Sequence, residues 1–251
     1  MGKHKQFLLY FLISFVFVTL FSRSTSFLYY FEGFDAAIFK QMGLAVLHGK
    51  TLYVDYFDNK GCLLYFIQAI GLYLGGNFFI LLMQAISLTI TMVFWDHIIA
   101  FYHEGRMRYA LLSVALLLLL CFYDGGDLSE EWSLPFASYP IYLYFRYLKT
   151  NKEIRKKEMF AVGVCFGIIA FIRINNASVF LGFFLYLFFI YLQKKEYNRF
   201  ITDALLIILG ALLNTKVCSN AIGYYSHHLR LICPSYTKKK LPNLLPSLNG
   251  Y

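Results

Sequence analysis

GCLLYFIQAIGLYLGGNFFILLMQAISLTITMVFW, residues 61–95, carries no charged side chain. A membrane-crossing helix uses about 17–25 residues, so this run is too long for one crossing. Gly75-Gly76-Asn77 breaks it into 61–74 and 78–95. Whether 61–74 crosses decides the direction of every helix after it, and the basic residues settle that. If 61–74 stays on the outer surface, Lys3, Lys5, Arg106, Arg108, Arg146, Lys149, Lys152, Arg155, Lys156, Lys157, Lys194, Lys195 and Arg199 are all cytoplasmic. Arg23, Lys40, Lys50, Lys60 and Arg173 then face out. If 61–74 crosses, the cluster from Lys149 to Lys157 lands outside, against the positive-inside rule. The segment is therefore expected to be an amphipathic or re-entrant element on the external side.

Working outward, further charge-free runs lie near 7–21, 109–123, 132–145, 159–172, 174–193 and 204–213. Several are short and must borrow flanking aromatic or snorkelling residues. The expectation is an all-α integral membrane protein with about seven transmembrane helices. They fall near 7–22, 78–99, 109–123, 133–148, 159–173, 176–192 and 200–213, with a large first external loop at 23–77. Lys3 and Lys5 precede an uncharged run from Gln6 to Ser22 with no small-x-small cleavage site. This reads as an uncleaved anchor helix with its N-terminus cytoplasmic.

Composition agrees. The 251 residues are 59% hydrophobic and 15% charged, with a mean hydropathy of +0.57. Soluble domains average roughly 45–50% apolar and about 25% charged, so an ordinary soluble domain is excluded, and so is disorder. The net charge of +9 follows from the cytoplasmic basic clusters, and no nucleic-acid partner is expected. Five cysteines without a CxxC pair support neither a disulfide framework nor a zinc site. From Asn214 to Tyr251 there is no acidic residue, while Arg230, Lys238-Lys239-Lys240, Pro234, Pro242 and Pro246 gather there. Residues 214–251 read as a basic, non-spanning tail. It is either functional or the frameshifted or truncated end of a longer frame, and both readings stay open.

Eight of the fourteen acids fall in two external loops. Loop one holds Glu32, Asp35, Asp55 and Asp58; loop two holds Asp124, Asp127, Glu130 and Glu131. The loop-one acids are interleaved with Phe34, Ile38, Phe39, Leu44, Tyr53, Tyr56 and Phe57, and residues 34–48 show helical spacing of apolar positions. That pattern predicts ordered helices at the membrane surface carrying acids.

Gly33-Phe34-Asp35-Ala36-Ala37, followed by Leu47-His48-Gly49-Lys50-Thr51-Leu52-Tyr53-Val54-Asp55-Tyr56-Phe57-Asp58-Asn59-Lys60-Gly61, resembles the first-loop signature of the polytopic C-type glycosyltransferases. That superfamily includes the dolichyl-phosphate-mannose protein mannosyltransferases, the aminoarabinose transferases of lipid A and related bacterial surface-polysaccharide enzymes. The resemblance covers roughly residues 5–213. It departs at Ala36, where many relatives have Glu, and at Gly61-Cys62, where many have Pro. Relatives generally continue for several more spans, so this chain resembles a truncated member. The resemblance implies a bacterial inner-membrane enzyme that moves a sugar from a polyprenyl-phosphate donor to a hydroxyl of a glycan, lipid or protein acceptor at the external face.

Such a transfer needs a base for the attacking hydroxyl, cationic groups for the leaving phosphate and an apolar groove for the lipid tail. Asp35 is the candidate base; its alternative role is a helix cap. Asp55 and Asp58, spaced i, i+3, would share one face if helical and could orient the acceptor or hold a divalent cation. Lys60 closes the loop where the chain returns to the membrane surface, which suits a phosphate. Glu130 and Glu131 are substrate-binding candidates, or acids that complement a helix start near Pro135. Arg173, in Ile172-Arg173-Ile174-Asn175-Asn176 between two apolar runs, could grip the carrier phosphate or snorkel to headgroups. Two other readings compete: an inactive fragment of such an enzyme, and a transporter or flippase for lipid-linked sugars.

Overall fold

Within lipid a run of apolar residues can satisfy its own backbone polar groups only as a helix. A computed structural model describes residues 3–24, 28, 32–56 and 58–232, with side chains for 4–24, 28, 32–56 and 58–215. Among these residues every regular element is helical. They are α1 (Lys3–Phe21), α2 (Phe34–Leu47), α3 (Cys62–Gly75), α4 (Asn77–Ala100), α5 (Gly105–Leu120), α6 (Ser129–Thr150), α7 (Lys156–Ile172), α8 (Val179–Lys194) and α9 (Tyr197–Ile232). A 3-10 turn, Ile174–Ser178, joins α7 to α8. His4–Phe21, Asn77–Ala100, Ile174–Lys194 and Tyr197–Thr215 are each long and apolar enough to cross a membrane. The chain is an all-helical membrane protein.

Side-chain contacts give the direction of each helix. Gln6 donates to Asp96 at 2.8 Å, Ser14 meets the Met92 sulfur at 3.3 Å, and Gln84 donates to Ser24 at 2.9 Å, so α1 and α4 are antiparallel. Arg108, early in α5, forks onto Asp96, late in α4. Phe17 then packs edge-on against Tyr123, just beyond α5, at 5.2 Å. Helix α6 runs alongside α4 in the same direction: Phe94 meets Tyr139 at 5.7 Å, and Tyr102 meets Phe145 at 6.0 Å. Helix α7 returns from the Arg146–Glu158 pair, α8 runs back with Tyr186 against Tyr144, and α9 turns again with Asp203 on Tyr191. One end of the bundle, here the amino end, carries Lys3 and the α4–α5, α6–α7 and α8–α9 turns. The other, the loop end, carries everything between α1 and α4, the α5–α6 turn and the α7–α8 turn.

Helix α3 starts at the loop end, where the Gly61 amide donates to the Ile172 carbonyl at 2.8 Å. It finishes at the same end, because Gly76 reverses the chain into α4 with a left-handed φ of 66°. Helices α2 and α3 pack face to face at Gly43, where a Cβ would stand 2.8 Å from that of Gln68. Phe39, Met42, Val46, Leu64, Tyr65 and Ala69 fill the seam between them.

Helices α7 and α9 meet through glycine. A side chain at Gly163 or Gly210 would overlap the backbone of the facing helix, at Ile207 and Phe160 respectively. Small residues let backbones close in lipid, where apolar packing has little other driving force. Asn214 adds a hydrogen bond to the Val164 carbonyl at 3.1 Å. The part of α9 long and apolar enough to cross a membrane is Tyr197–Thr215, close to the expected span, and the helix itself continues to Ile232. Hydropathy ends the span at Thr215, yet no proline interrupts the helix before Pro234. Residues 233–251 of the expected tail lie outside the described residues.

At the amino end Glu158 accepts both arms of the Arg146 fork, at 2.8 and 2.7 Å, and the Arg155 amide at 2.9 Å. The Arg146 hydrogen bonds, ahead of the Arg155 contacts, hold its carboxyl down at about 2. The α6–α7 turn is thereby closed around a buried ion pair.

Candidate functional site

The loop end is organised by Gly61. Its missing side chain lets the backbone lie directly on that of Phe171 and Ile172; a Cβ would overlap the Phe171 carbonyl oxygen. Lys60 and Arg173, each next to one partner of this contact, are therefore fixed in the same region. The Lys60 side chain, 10% exposed, reaches Asp35 at 3.2 Å and lies 4.7 Å over the Phe39 ring. Asp35 is in the first turn of α2, with the backbone of Gly33 forming the cap, so it is not itself the cap residue.

Arg173 ends α7. Its Nη1 donates to Glu130 Oε1 at 2.6 Å and to the Ser129 hydroxyl at 3.4 Å, while Ser129 donates to Glu130 Oε2 at 2.9 Å. Asn176 donates to Ser133 at 3.1 Å. Two ion pairs, Asp35–Lys60 and Glu130–Arg173, thus flank one backbone contact. Both are partly solvated: Asp35 keeps 31% and Glu130 52% of its side-chain surface.

Glu130 and Glu131, equivalent in sequence, are separated by the fold. Glu131 turns inward and accepts the amides of Asp127 at 2.6 Å and Leu128 at 3.3 Å, which caps α6. Helix α6 starts six residues before the proline, so Pro135 lies within the helix, not in its first turn. Beside Glu131, Asp127 is fully buried, with Oδ1 accepting from Gln68 Nε2 and Trp132 Nε1, both at 2.7 Å. Burial, the leading cause for each, pushes Asp127 up to about 7 and Glu131 up to about 8. Lys40 is buried nearby, held by Glu32 at 2.6 Å and by the Ser24 carbonyl. The sequence reading gave Asp127, Gln68 and Lys40 no role. The available signal was a lone amide, Gln68, inside an otherwise apolar run.

Asp55 and Asp58 are not on a helix face. Residues 53–55 form a turn in which Asp55 accepts the Thr51 amide at 2.7 Å. Asp58 accepts the Asn59 amide and the Tyr65 hydroxyl, both at 2.7 Å, and Tyr53 donates to the Lys60 carbonyl at 2.6 Å. These carboxylates hold the loop in shape and so present Lys60. Among the described residues no group of three or more His, Cys, Asp or Glu could hold a metal. The donor set does not fit a divalent cation.

An apolar groove of about 370 Å³ opens between α8 and α9, lined by residues including Leu181, Phe184, Phe188, Ile207 and Ile208. Tyr191, Phe200 and Asp203 also border it, so it lies toward the amino end, away from the two ion pairs.

Fold and site together define a polytopic helical membrane protein whose candidate site residues collect at one end of the bundle. Residues 3–243 match the family described as "Putative competence-induced protein Ccs4 N-terminal domain", and the chain belongs to that family. The matched range includes residue 213 and most of the expected tail. No curated protein and no solved structure matches the chain.

Proposed function

We propose that this protein is a membrane glycosyltransferase that moves a sugar from a polyprenyl-phosphate carrier to an acceptor hydroxyl at the external face of the cell membrane. The observation that carries this reading is the Asp35–Lys60 ion pair, tied through Gly61 to the end of α7 that bears Arg173. It supplies one carboxylate and two cations in one place, the set that glycosyl transfer from a phosphate requires. In this reading α1 and α4 to α9 are seven spans, the N-terminus is cytoplasmic, and α2 and α3 lie on the outer surface. The basic cluster Lys149–Lys157, at the amino end of the bundle, supports that orientation.

The donor phosphate meets Lys60 and Arg173 and competes with Asp35 and Glu130 for them. Asp35, relieved of its ammonium, takes the proton of the acceptor hydroxyl. The hydroxyl oxygen bonds to the sugar's anomeric carbon while the bond from that carbon to the phosphate oxygen breaks. The electron pair leaves on polyprenyl phosphate, where the cations stabilise it. Glu130, parted from Arg173, accepts a hydrogen bond from the acceptor. Asp55 and Asp58 keep the loop that presents Lys60.

Two measurements test this. In a chain stripped of its own cysteines, an impermeant thiol reagent applied from outside should label a cysteine at Asn59 and spare one at Thr150. Labelling of both from outside removes the topology and the site with it. Lys60→Ala and Arg173→Ala should each weaken donor dependence about ten- to a hundredfold, since a charge-assisted contact contributes roughly 1.5–3 kcal/mol. Arg173→Lys should recover only part, because it restores charge without the planar fork. Unchanged donor dependence in both alanine variants, with the protein still inserted, would put the phosphate site elsewhere.

A further inference from the structure

The contact between Asp127 and Gln68 leaves one acceptor unpaired on each side. Both residues are fully buried. The Gln68 amide nitrogen donates to Asp127 Oδ1 at 2.7 Å, and that same oxygen also takes the Trp132 indole N–H. The second oxygen on each side, Asp127 Oδ2 and Gln68 Oε1, meets no donor. Two buried acceptors are thus left unpaired on the two groups that already share one hydrogen bond. Buried acceptors of this kind are costly and are ordinarily satisfied. Reversing the Gln68 amide would not help, because its nitrogen is the atom making the bond that exists. A single proton on Oδ2 would complete the contact: a carboxylic acid and a primary amide close a ring of two hydrogen bonds, one in each direction.

We propose that Asp127 is a proton-binding site, a neutral carboxylic acid whose Oδ2–H donates to Gln68 Oε1 and so fastens α3 to the turn ahead of α6. Burial favours the neutral form; Lys40 and the two N–H donors, Trp132 and Gln68, act the other way. From α2 comes Lys40, but its ammonium is already held by Glu32, from the segment before α2, and by the Ser24 carbonyl beyond α1. From α6 comes Glu131, a second, half-buried acid one turn on, which accepts the Asp127 amide. From the end of α5 comes the phenol of Tyr123, buried beside both acids. Arg23 lays its aliphatic stem along Gly125 in the same turn. A charged Asp127 would be a desolvated anion beside the Glu32 carboxylate, which already pairs the near cation Lys40. Burial accordingly places its titration near 7, against an ordinary value of 3.8.

The linkage has a definite sign. Between those two values the folded protein holds a proton that the unfolded chain has released. The contribution to stability is therefore complete at acidic pH, declines as pH rises toward 7, and is constant above. Within that window one proton changes the unfolding constant by up to about tenfold per pH unit. The site is a pH-dependent latch at the loop end, and it operates whether or not the chain transfers sugar.

The test compares unfolding midpoints of the full chain in lipid nanodiscs at about pH 5 and about pH 8 for the parent, Asp127→Asn and Asp127→Ala. Asparagine reproduces the protonated acid, with an N–H where the acid has O–H, and does not titrate. Asp127→Asn should match the parent at the acidic pH and unfold at higher temperature than the parent at the alkaline one. Asp127→Ala should be weaker than Asp127→Asn at both. In parallel, the infrared carbonyl band of an undissociated carboxylic acid should be present in the parent near pH 5, fade toward pH 8, and be diminished in Asp127→Asn. An Asp127→Asn protein that fails to accumulate, or is no more stable than the parent at alkaline pH, overturns the proposal. So does a parent spectrum in which the acid band is absent or is unaltered by Asp127→Asn.

Discussion

Asp35→Asn should lower transfer from a polyprenyl-phosphate sugar by roughly 10²–10⁴, the range a positioned general base contributes. Asparagine preserves the size of the side chain and can still accept a hydrogen bond from Lys60, but it cannot take the acceptor's proton. Little else should change. The Asp35–Lys60 pair is partly solvated, with Asp35 31% exposed, and ion pairs of that kind contribute about 0–1 kcal/mol. Membrane insertion and the unfolding midpoint should stay at parental values, and donor affinity should not fall, because the ammonium is retained. Turnover within a few-fold of the parent would reduce Asp35 to a partner that stores Lys60. Glu130, the more exposed acid across the Gly61–Ile172 contact, would then be the next base to test.

The second large effect is expected at a residue with no side chain. Gly61→Val places methyl groups where the Phe171 carbonyl oxygen already stands, so the loop must withdraw from α7. Overpacking of this sort costs about 1–3 kcal/mol, more where backbone is the obstacle. The greater loss should be functional, because Lys60 and Arg173 are separated at once. A displacement of about 1 Å at a reacting centre can cost 10²-fold. Transfer should fall further than in either single cation variant, together with a lowered unfolding midpoint. A Gly61→Val protein with parental activity and midpoint would mean that the Gly61–Ile172 contact does not set the site.

Much of this arrangement was legible in the residues. The Gly75-Gly76-Asn77 break falls between α3 and α4, and residues 34–47 form the helix that their apolar spacing indicates. The two acid-rich loops do approach each other, since Gly33 faces the Asp124 carbonyl and Gln68 meets Asp127. Other features depend on information that spacing does not carry. Asp55 and Asp58 are i, i+3 in a turn, because backbone amides next to them compete for their oxygens. Glu130 and Glu131 differ only in which side of α6 each occupies. Four helices meet the length and apolarity of a span on their own. Helix α6 does not, because its tyrosines, serines and prolines, with the charges at its ends, lower its apolarity.

The Gly61–Ile172 hydrogen bond also bears on how the chain is made. Its two halves lie roughly 110 residues apart, and synthesis proceeds at about 5–20 residues per second, so the α2–α3 hairpin emerges some 5–20 s before its seat on α7 exists. Strictly vectorial assembly, each helix settling on the one before, cannot build this end of the molecule. The early hairpin has to wait with Leu64, Tyr65 and Phe66 covered by little more than α2. Ribosome pausing before α7, or a shortage of whatever shields nascent apolar segments, should therefore harm this protein more than one whose helices pair only with their immediate neighbours.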